Sequence, residues 1–104
     1  MAITFTFLKI FGMALLHVSP LLFFLLMVIL VLGLVIGRLE KWLGFDAVYF
    51  AFVTATTVGY GDLRPRLRLS RMLSVLVAII GLVFTGLIVA IAVYALGETF
   101  SASP

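Results

Sequence analysis

The chain has 104 residues, with seven Lys and Arg against four Asp and Glu, a formal net charge of +3, and 65% hydrophobic but only 11% charged residues. Apolar runs near bilayer-spanning length in such a composition place it among integral membrane proteins and exclude a water-soluble domain. With no cysteine and a single histidine, His17, it has no disulfide or thiolate-metal site and little material for acid-base or zinc chemistry, so neither an enzyme, a cofactor nor a nucleic-acid partner is expected.

The N-terminus lacks a basic n-region and a clear small-residue cleavage site, so no removable signal peptide is expected. Residues 1–19 form an apolar pre-span segment carrying Thr4, Thr6 and Lys9. This segment either lies along the interface as a short helix or continues the first span past a proline kink. Ser19-Pro20 reads as an N-cap followed by a first-turn proline, which predicts an outer helix over 20–38. Its stretch Leu21 to Gly37 is free of charge and about 26 Å long as a helix, enough to cross a bilayer. Gly33 and Gly37 form a G-x-x-x-G pair, read either as a close helix contact in lipid or as simple packing. No chain of Asp, Glu and His runs through either span, which argues against a proton-coupled pump.

Between the spans, Asp46 is a good N-cap for a short aromatic-rich helix over 46–56. At about 15 Å it reaches half-way through a membrane, and glycine-rich backbone follows. A half-depth helix with an irregular return describes a re-entrant loop, which a bilayer tolerates only where protein or water covers the backbone. The loop is Thr57-Val58-Gly59-Tyr60-Gly61-Asp62. Carbonyls of an ordinary strand alternate in direction, so aiming consecutive ones at one axis requires some residues at φ > 0, which glycine adopts cheaply. Gly59 and Gly61 supply that freedom, and the Thr57 hydroxyl adds a further oxygen to the ladder. Oxygens without a fixed negative charge suit a weakly hydrated monovalent cation better than Mg²⁺ or Ca²⁺. One chain offers one oxygen per rung, whereas four copies would place about eight around each ion and would hide the loop backbone from lipid.

The second span is the inner helix, predicted over 70–97; its apolar part, Met72 to Leu96, is about 38 Å long. A single pore-facing stripe at spacings of four would carry Thr85, Val89 and Val93, with Thr85 lining a cavity and the two valines forming a constriction that gates by dewetting. Residues 98–104 are read as a C-terminal tail. No span carries arginine at every third position, so no voltage sensor is expected.

TVGYGD resembles the selectivity filter of tetrameric potassium channels, for which TVGYG loops are an established signature. The resemblance covers about Pro20 to Leu96, and is closest to the two-helix bacterial channels or the pore module of larger ones. It implies an all-α membrane fold of two transmembrane helices flanking a re-entrant pore helix and filter loop, assembled as a fourfold homotetramer among membrane lipids. It further implies a passive potassium-selective channel of the plasma membrane, with cytoplasmic termini and a pore module over 20–97. In this family's terms Thr57 supplies a hydroxyl and a carbonyl to the innermost K⁺ site. Val58, Gly59 and Tyr60 supply the outer carbonyls, Gly61 completes the filter, and Asp62 and Arg64 sit at the external mouth. Gly81, 20 residues after Gly61, matches the spacing of the inner-helix hinge, and Gly86 matches a second small position; packing alone is the competing reading of both. A less selective monovalent cation channel and the pore module of a larger ligand-gated channel are the alternatives. A one-chain transporter would need four pore repeats, and a membrane scaffold would leave TVGYGD unexplained. A cytoplasmic regulatory domain outside this chain is a further partner the family allows.

Departures from the family concern charge and filter support. Every basic residue but Lys9 lies between the spans, where the positive-inside rule would make the loop cytoplasmic; the resemblance makes it external and is followed here. Arg64, Arg66 and Arg68 form a basic rim, or the latter two snorkel or pair with Asp62 and Glu40. Arg71 reads as an interfacial anchor. Val53 stands where some relatives carry a glutamate behind the filter and Phe50 where many carry a hydrogen-bonding aromatic, leaving Tyr49 to reach Asp62. His17, alone near the inner surface, is read as an interfacial residue ahead of a pH sensor.

Overall fold

The computed structural model describes residues 2–102. Three helices account for most of it: α1, Ala2–Glu40; α2, Gly44–Ala55; and α3, Arg68–Ala102. α1 and α3 are long and apolar enough to cross a membrane. At 39 and 35 residues they are about 58 and 52 Å long, against about 18 Å for α2. They lie against each other in a molecule of 57 × 25 × 20 Å.

α1 does not begin at Pro20. It runs unbroken from Ala2, so the segment before the proline continues the span. Proline has no N–H to give to the carbonyl four residues back, which leaves the Leu16 carbonyl without its helical donor. The Ser19 hydroxyl donates to that carbonyl at 2.7 Å instead, so Ser19 is a substitute donor within the helix and not an N-cap. α1 stops with Lys41 in the left-handed region at φ 60°. The Trp42 N–H returns to the Gly37 carbonyl at 2.8 Å and that of Lys41 to Arg38 at 3.3 Å, a Schellman closure built without glycine.

α2 starts at Gly44, earlier than expected, with Leu43 as an N-cap that makes no side-chain bond. Asp46 therefore sits in the first turn, where its charge meets the positive end of the helix dipole, and does not cap. Thr56 is the C-cap at the other end. α3 begins at Arg68 and continues through the expected tail as far as Ala102, with Thr99 buried and donating to the Ala95 carbonyl.

A seam of small residues seats α2. Ala47, Ala51 and Ala55 fall at spacings of four and share one face, and all three are buried. A Cβ at Gly33 would lie 2.6 Å from the Ala51 Cβ, and one at Gly37 would lie 2.5 Å from the Ala47 Cβ. A Cβ at Gly81 would overlap the Ala55 backbone, 2.5 Å from its Cα. The G-x-x-x-G pair thus serves α2 of the same chain, and Gly81 is a site of close approach between α3 and the end of α2. Ile29, Ile36, Phe50 and Val77 complete the core around this seam. Phe50 packs on Trp42 with ring centroids 5.1 Å apart. Cavities this small have no room for a methyl group. Gly33→Ala is expected to destabilise the subunit by about 1–3 kcal/mol, and Ala51→Gly to restore part of that loss. Thermal unfolding in detergent would measure both; losses that simply add would refute the contact.

Candidate functional site

The loop leaves α2 through a knot of main-chain hydrogen bonds. Val58 and Gly59 both donate to the Val53 carbonyl, at 3.0 and 3.2 Å, and Thr57 donates to Thr54 at 3.1 Å. Val53 cannot bond through its side chain, but its carbonyl holds the start of the loop. The Thr56 hydroxyl donates back to Phe52 at 2.7 Å, and that of Thr57 to the Thr56 carbonyl at 2.5 Å.

Beyond the knot the backbone alternates in hand. Thr57, Gly59 and Gly61 have φ of 66°, 53° and 82°, whereas Val58 and Tyr60 stay at negative φ. The two glycines take this conformation as the sequence implies. Thr57 was expected to contribute oxygens, not a left-handed backbone, and a β-branched residue held there stores of order 1–2 kcal/mol of strain. No signal in the sequence marks it. The result is a run of carbonyls with no internal partner: among the described residues, nothing donates to the carbonyls of Thr57, Val58, Gly59 or Tyr60. The loop is exposed from Thr56 to Asp62. No group of three or more His, Cys, Asp or Glu that could hold a metal ion occurs among the described residues.

At Gly61 the pattern changes, because Arg64 Nε donates to its carbonyl at 3.1 Å. This puts a guanidinium against the last rung of the loop. The Asp62 carboxylate accepts the Leu63 N–H at 3.1 Å. The Tyr49 phenol is raised above its usual range, by desolvation first and then by hydrogen bonding and charge from Asp62.

Sequence reading missed the fastening of the return segment. Glu40, at the end of α1, accepts the backbone N–H of Arg66 at 2.7 Å and that of Leu67 at 3.1 Å. The carboxylate was considered as a partner for arginine side chains; its hydrogen bonds go to the main chain at the start of α3. Two charge-assisted bonds from one group hold the loop more firmly than an exposed ion pair would. Arg71 is expected to be an anchor at the membrane surface; its Nε donates to the Pro65 carbonyl at 3.3 Å. Around these bonds lies a cavity of about 650 Å³ lined by Glu40, Trp42, Asp62, Arg64, Arg66 and Arg71.

On α3 the packed side is marked by buried Val77, Gly81, Ile91, Ala95 and Thr99, with Gly81 against Ala55 of α2. Thr85, Val89 and Val93 are exposed, the two valines at 55% and 64%. Gly86 is also exposed, and a Cβ there would meet nothing within 4 Å, in contrast to Gly81.

Two long apolar helices, a short helix packed against both and a loop with left-handed glycines are the elements of a pore-loop channel fold. The sequence profile of the family described as "Ion channel" matches residues 21–98, and the chain belongs to that family. It is 42% identical over 53 residues to "TWiK family of potassium channels protein 7" of Caenorhabditis elegans, a stretch covering 51% of this chain and 10% of the relative. It is 51% identical over 41 residues to "Two-pore potassium channel 1" of Arabidopsis thaliana, covering 39% of this chain and 11% of that protein. The matches thus span about a tenth of the length of these curated relatives. No solved structure matches the chain. The family is one of ion channels and not of enzymes.

The Glu40 fastening has a direct readout. In Glu40→Ala, hydrogen exchange at the Arg66 and Leu67 amides is expected to quicken by roughly tenfold or more, as loss of bonds worth about 1.5–3 kcal/mol requires. The Val58 and Gly59 amides, tied to Val53, should keep their protection. Unchanged exchange at residues 66 and 67 would refute the assignment.

Proposed function

We propose that this chain is one subunit of a homotetrameric, potassium-selective channel that conducts K⁺ passively across a plasma membrane. The observation that carries the proposal is the row of unpartnered carbonyls on Thr57, Val58, Gly59 and Tyr60, kept in line by alternate residues of opposite hand. In an isolated subunit Val58 and Tyr60 are 52% and 70% exposed. An irregular, exposed backbone at membrane depth is tolerable only where protein or water covers it. Four loops around one axis would supply both that cover and the ring of oxygens that replaces a hydration shell. The relatives named as potassium channels support K⁺ as the ion.

Each step of conduction falls to particular groups. A hydrated ion reaching the end of α2 is drawn by the negative pole of that helix, whose last residue is Ala55. The Thr57 carbonyl and hydroxyl oxygen take it first, and the Val58, Gly59 and Tyr60 carbonyls pass it on. Because no full charge binds the ion, each site is weak enough to release it to the next. The Gly61 carbonyl is engaged by Arg64, so it is a rung of reduced donor strength whose neighbour is a positive rim. Loop outward and termini cytoplasmic is the orientation this path requires. Thr85 lines the cavity below the filter, Val89 and Val93 the narrower part beyond it, and the α3 backbone bends at Gly81 or Gly86 to open it. Gly86 has the space for such a bend around it, whereas Gly81 is locked against Ala55.

A flux assay in vesicles with an imposed K⁺ gradient tests the proposal directly. Uptake should occur with K⁺, be blocked by Ba²⁺ from the inner side, and give a bi-ionic potential favouring K⁺ over Na⁺. Gly59→Ala, which places a Cβ on a residue at φ 53°, is expected to lower the flux by an order of magnitude or more without dissolving the assembly. Equal permeation of Na⁺ would overturn selectivity, and a chain that stays monomeric would overturn the tetramer. The rim makes a separate claim: external tetraethylammonium should block weakly, and Arg64→Tyr should block better than the parent, most clearly at low salt, where the arginine charge is least screened.

A further inference from the structure

At the end of the α1–α3 pair remote from the filter, one flank opens into a groove of about 610 Å³. Met13, Leu87 and Ile91 contribute apolar wall, and His17, Tyr94 and Glu98 contribute polar groups. Three features give this groove a chemistry. His17 Nδ1 lies 2.9 Å from the Met13 carbonyl, which can only accept, so this ring nitrogen is the donor and is spent within α1. Glu98 is a carboxylate, and no basic residue lines the groove beside it. Tyr94 adds a phenol oxygen and a ring face, both favourable to a cation. Glu98 and Tyr94 therefore present negative charge and electron density beside an apolar wall. The opposite flank of the same helix pair makes the contrast: its groove is lined by Leu15, Leu22, Phe23, Leu26 and Phe84 and carries no ionisable group. Its one hydroxyl, that of Ser19, is already spent on Leu16.

We propose that the His17–Tyr94–Glu98 groove is a binding site for a membrane-soluble amphiphile with a protonated amine head, separate from the filter and from the stripe of Thr85, Val89 and Val93. The head pairs with Glu98 and stacks on Tyr94, and the hydrocarbon body lies along Met13, Leu87 and Ile91. The size lies within the ~300–1,000 Å³ of sites that take drug-sized ligands. Glu98 lies 27 residues beyond Arg71 along α3, about 40 Å, which brings the carboxylate to the polar boundary of the far leaflet, where an amine head resides. A neutral lipid chain would gain nothing from the carboxylate and would favour the opposite flank.

The test uses the full chain in lipid nanodiscs and two photoreactive probes: dodecylamine bearing a chain-terminal diazirine, and the alcohol of the same length and label. After irradiation, adducts are mapped by mass spectrometry. The amine should label the segments around Met13–His17 and Leu87–Glu98, and the alcohol should label them roughly tenfold less, as loss of one paired charge implies. Glu98→Gln should reduce amine labelling to the alcohol level, and Ala90→Trp, which fills the groove, should abolish it. Native mass spectrometry and K⁺ flux on the same samples report assembly and conduction independently, so a monomeric or non-selective chain would be recognised without deciding the groove. Equal labelling by both probes, undiminished labelling of Glu98→Gln, or adducts confined to the pore or to a neighbouring chain's cover of this flank would each overturn the proposal.

Discussion

Everything that positions the loop depends on how closely α2 is allowed to approach its two long neighbours. Ala47, Ala51 and Ala55 meet Gly37, Gly33 and Gly81 at separations that leave no space for a single added methyl. In hydrocarbon there is no hydrophobic gain from hiding one apolar surface against another, so the seam must be held by dispersion at short range, which only small side chains permit. A helix held on two sides cannot rock, and its last turn therefore delivers Thr56 and Thr57 to a fixed place. Gly81 belongs to this constraint because it lets α3 touch the end of α2.

From that fixed point the loop is governed by its own main chain. The Val53 carbonyl accepts two N–H groups and so uses up the donors at the start of the loop, and the left-handed residues at 57, 59 and 61 turn the following carbonyls out of any internal pairing. In water such oxygens would be solvated at no cost. At membrane depth they would require an alternative, and in the proposed function a permeating cation provides it. Strain at Thr57 and the unpartnered carbonyls that follow it are thus two sides of one arrangement: the backbone is held in an unfavourable state so that its oxygens remain free.

The return segment of the loop is fastened by different means. Glu40 ties the beginning of α3 to the end of α1 through two main-chain amides, and Arg64 and Arg71 each donate to a carbonyl of the loop. Val53 and Phe50 offer no side-chain hydrogen bond to the loop, and the bonds that hold its return segment come from Glu40, Arg64 and Arg71. The charges that look like a scattered basic cluster in the sequence are, at Arg64 and Arg71, structural donors first. They still leave this side of the loop with an excess of positive charge.

Hydropathy, the two span-length runs and TVGYGD were enough to read two long apolar helices, the short helix between them and the location of the loop, because periodicity and glycine requirements are local properties of the chain. The Ala47-Ala51-Ala55 stripe was also present at regular spacing and went unread, since small residues carry no hydrophobic signal of their own. What surrounds each local element was not accessible in this way. Whether Pro20 ended α1 depended on a hydroxyl one residue earlier reaching a vacated carbonyl, and where Gly33 and Gly37 packed depended on which helix came to them. Glu40 bonding to amides 26 and 27 residues away along the chain, and Thr57 forced to a positive φ, are outcomes of three helices meeting in space. Sequence spacing sets which groups each helix presents, but a hydrogen bond or a methyl-sized gap exists only once two distant segments are placed within a few ångströms of each other.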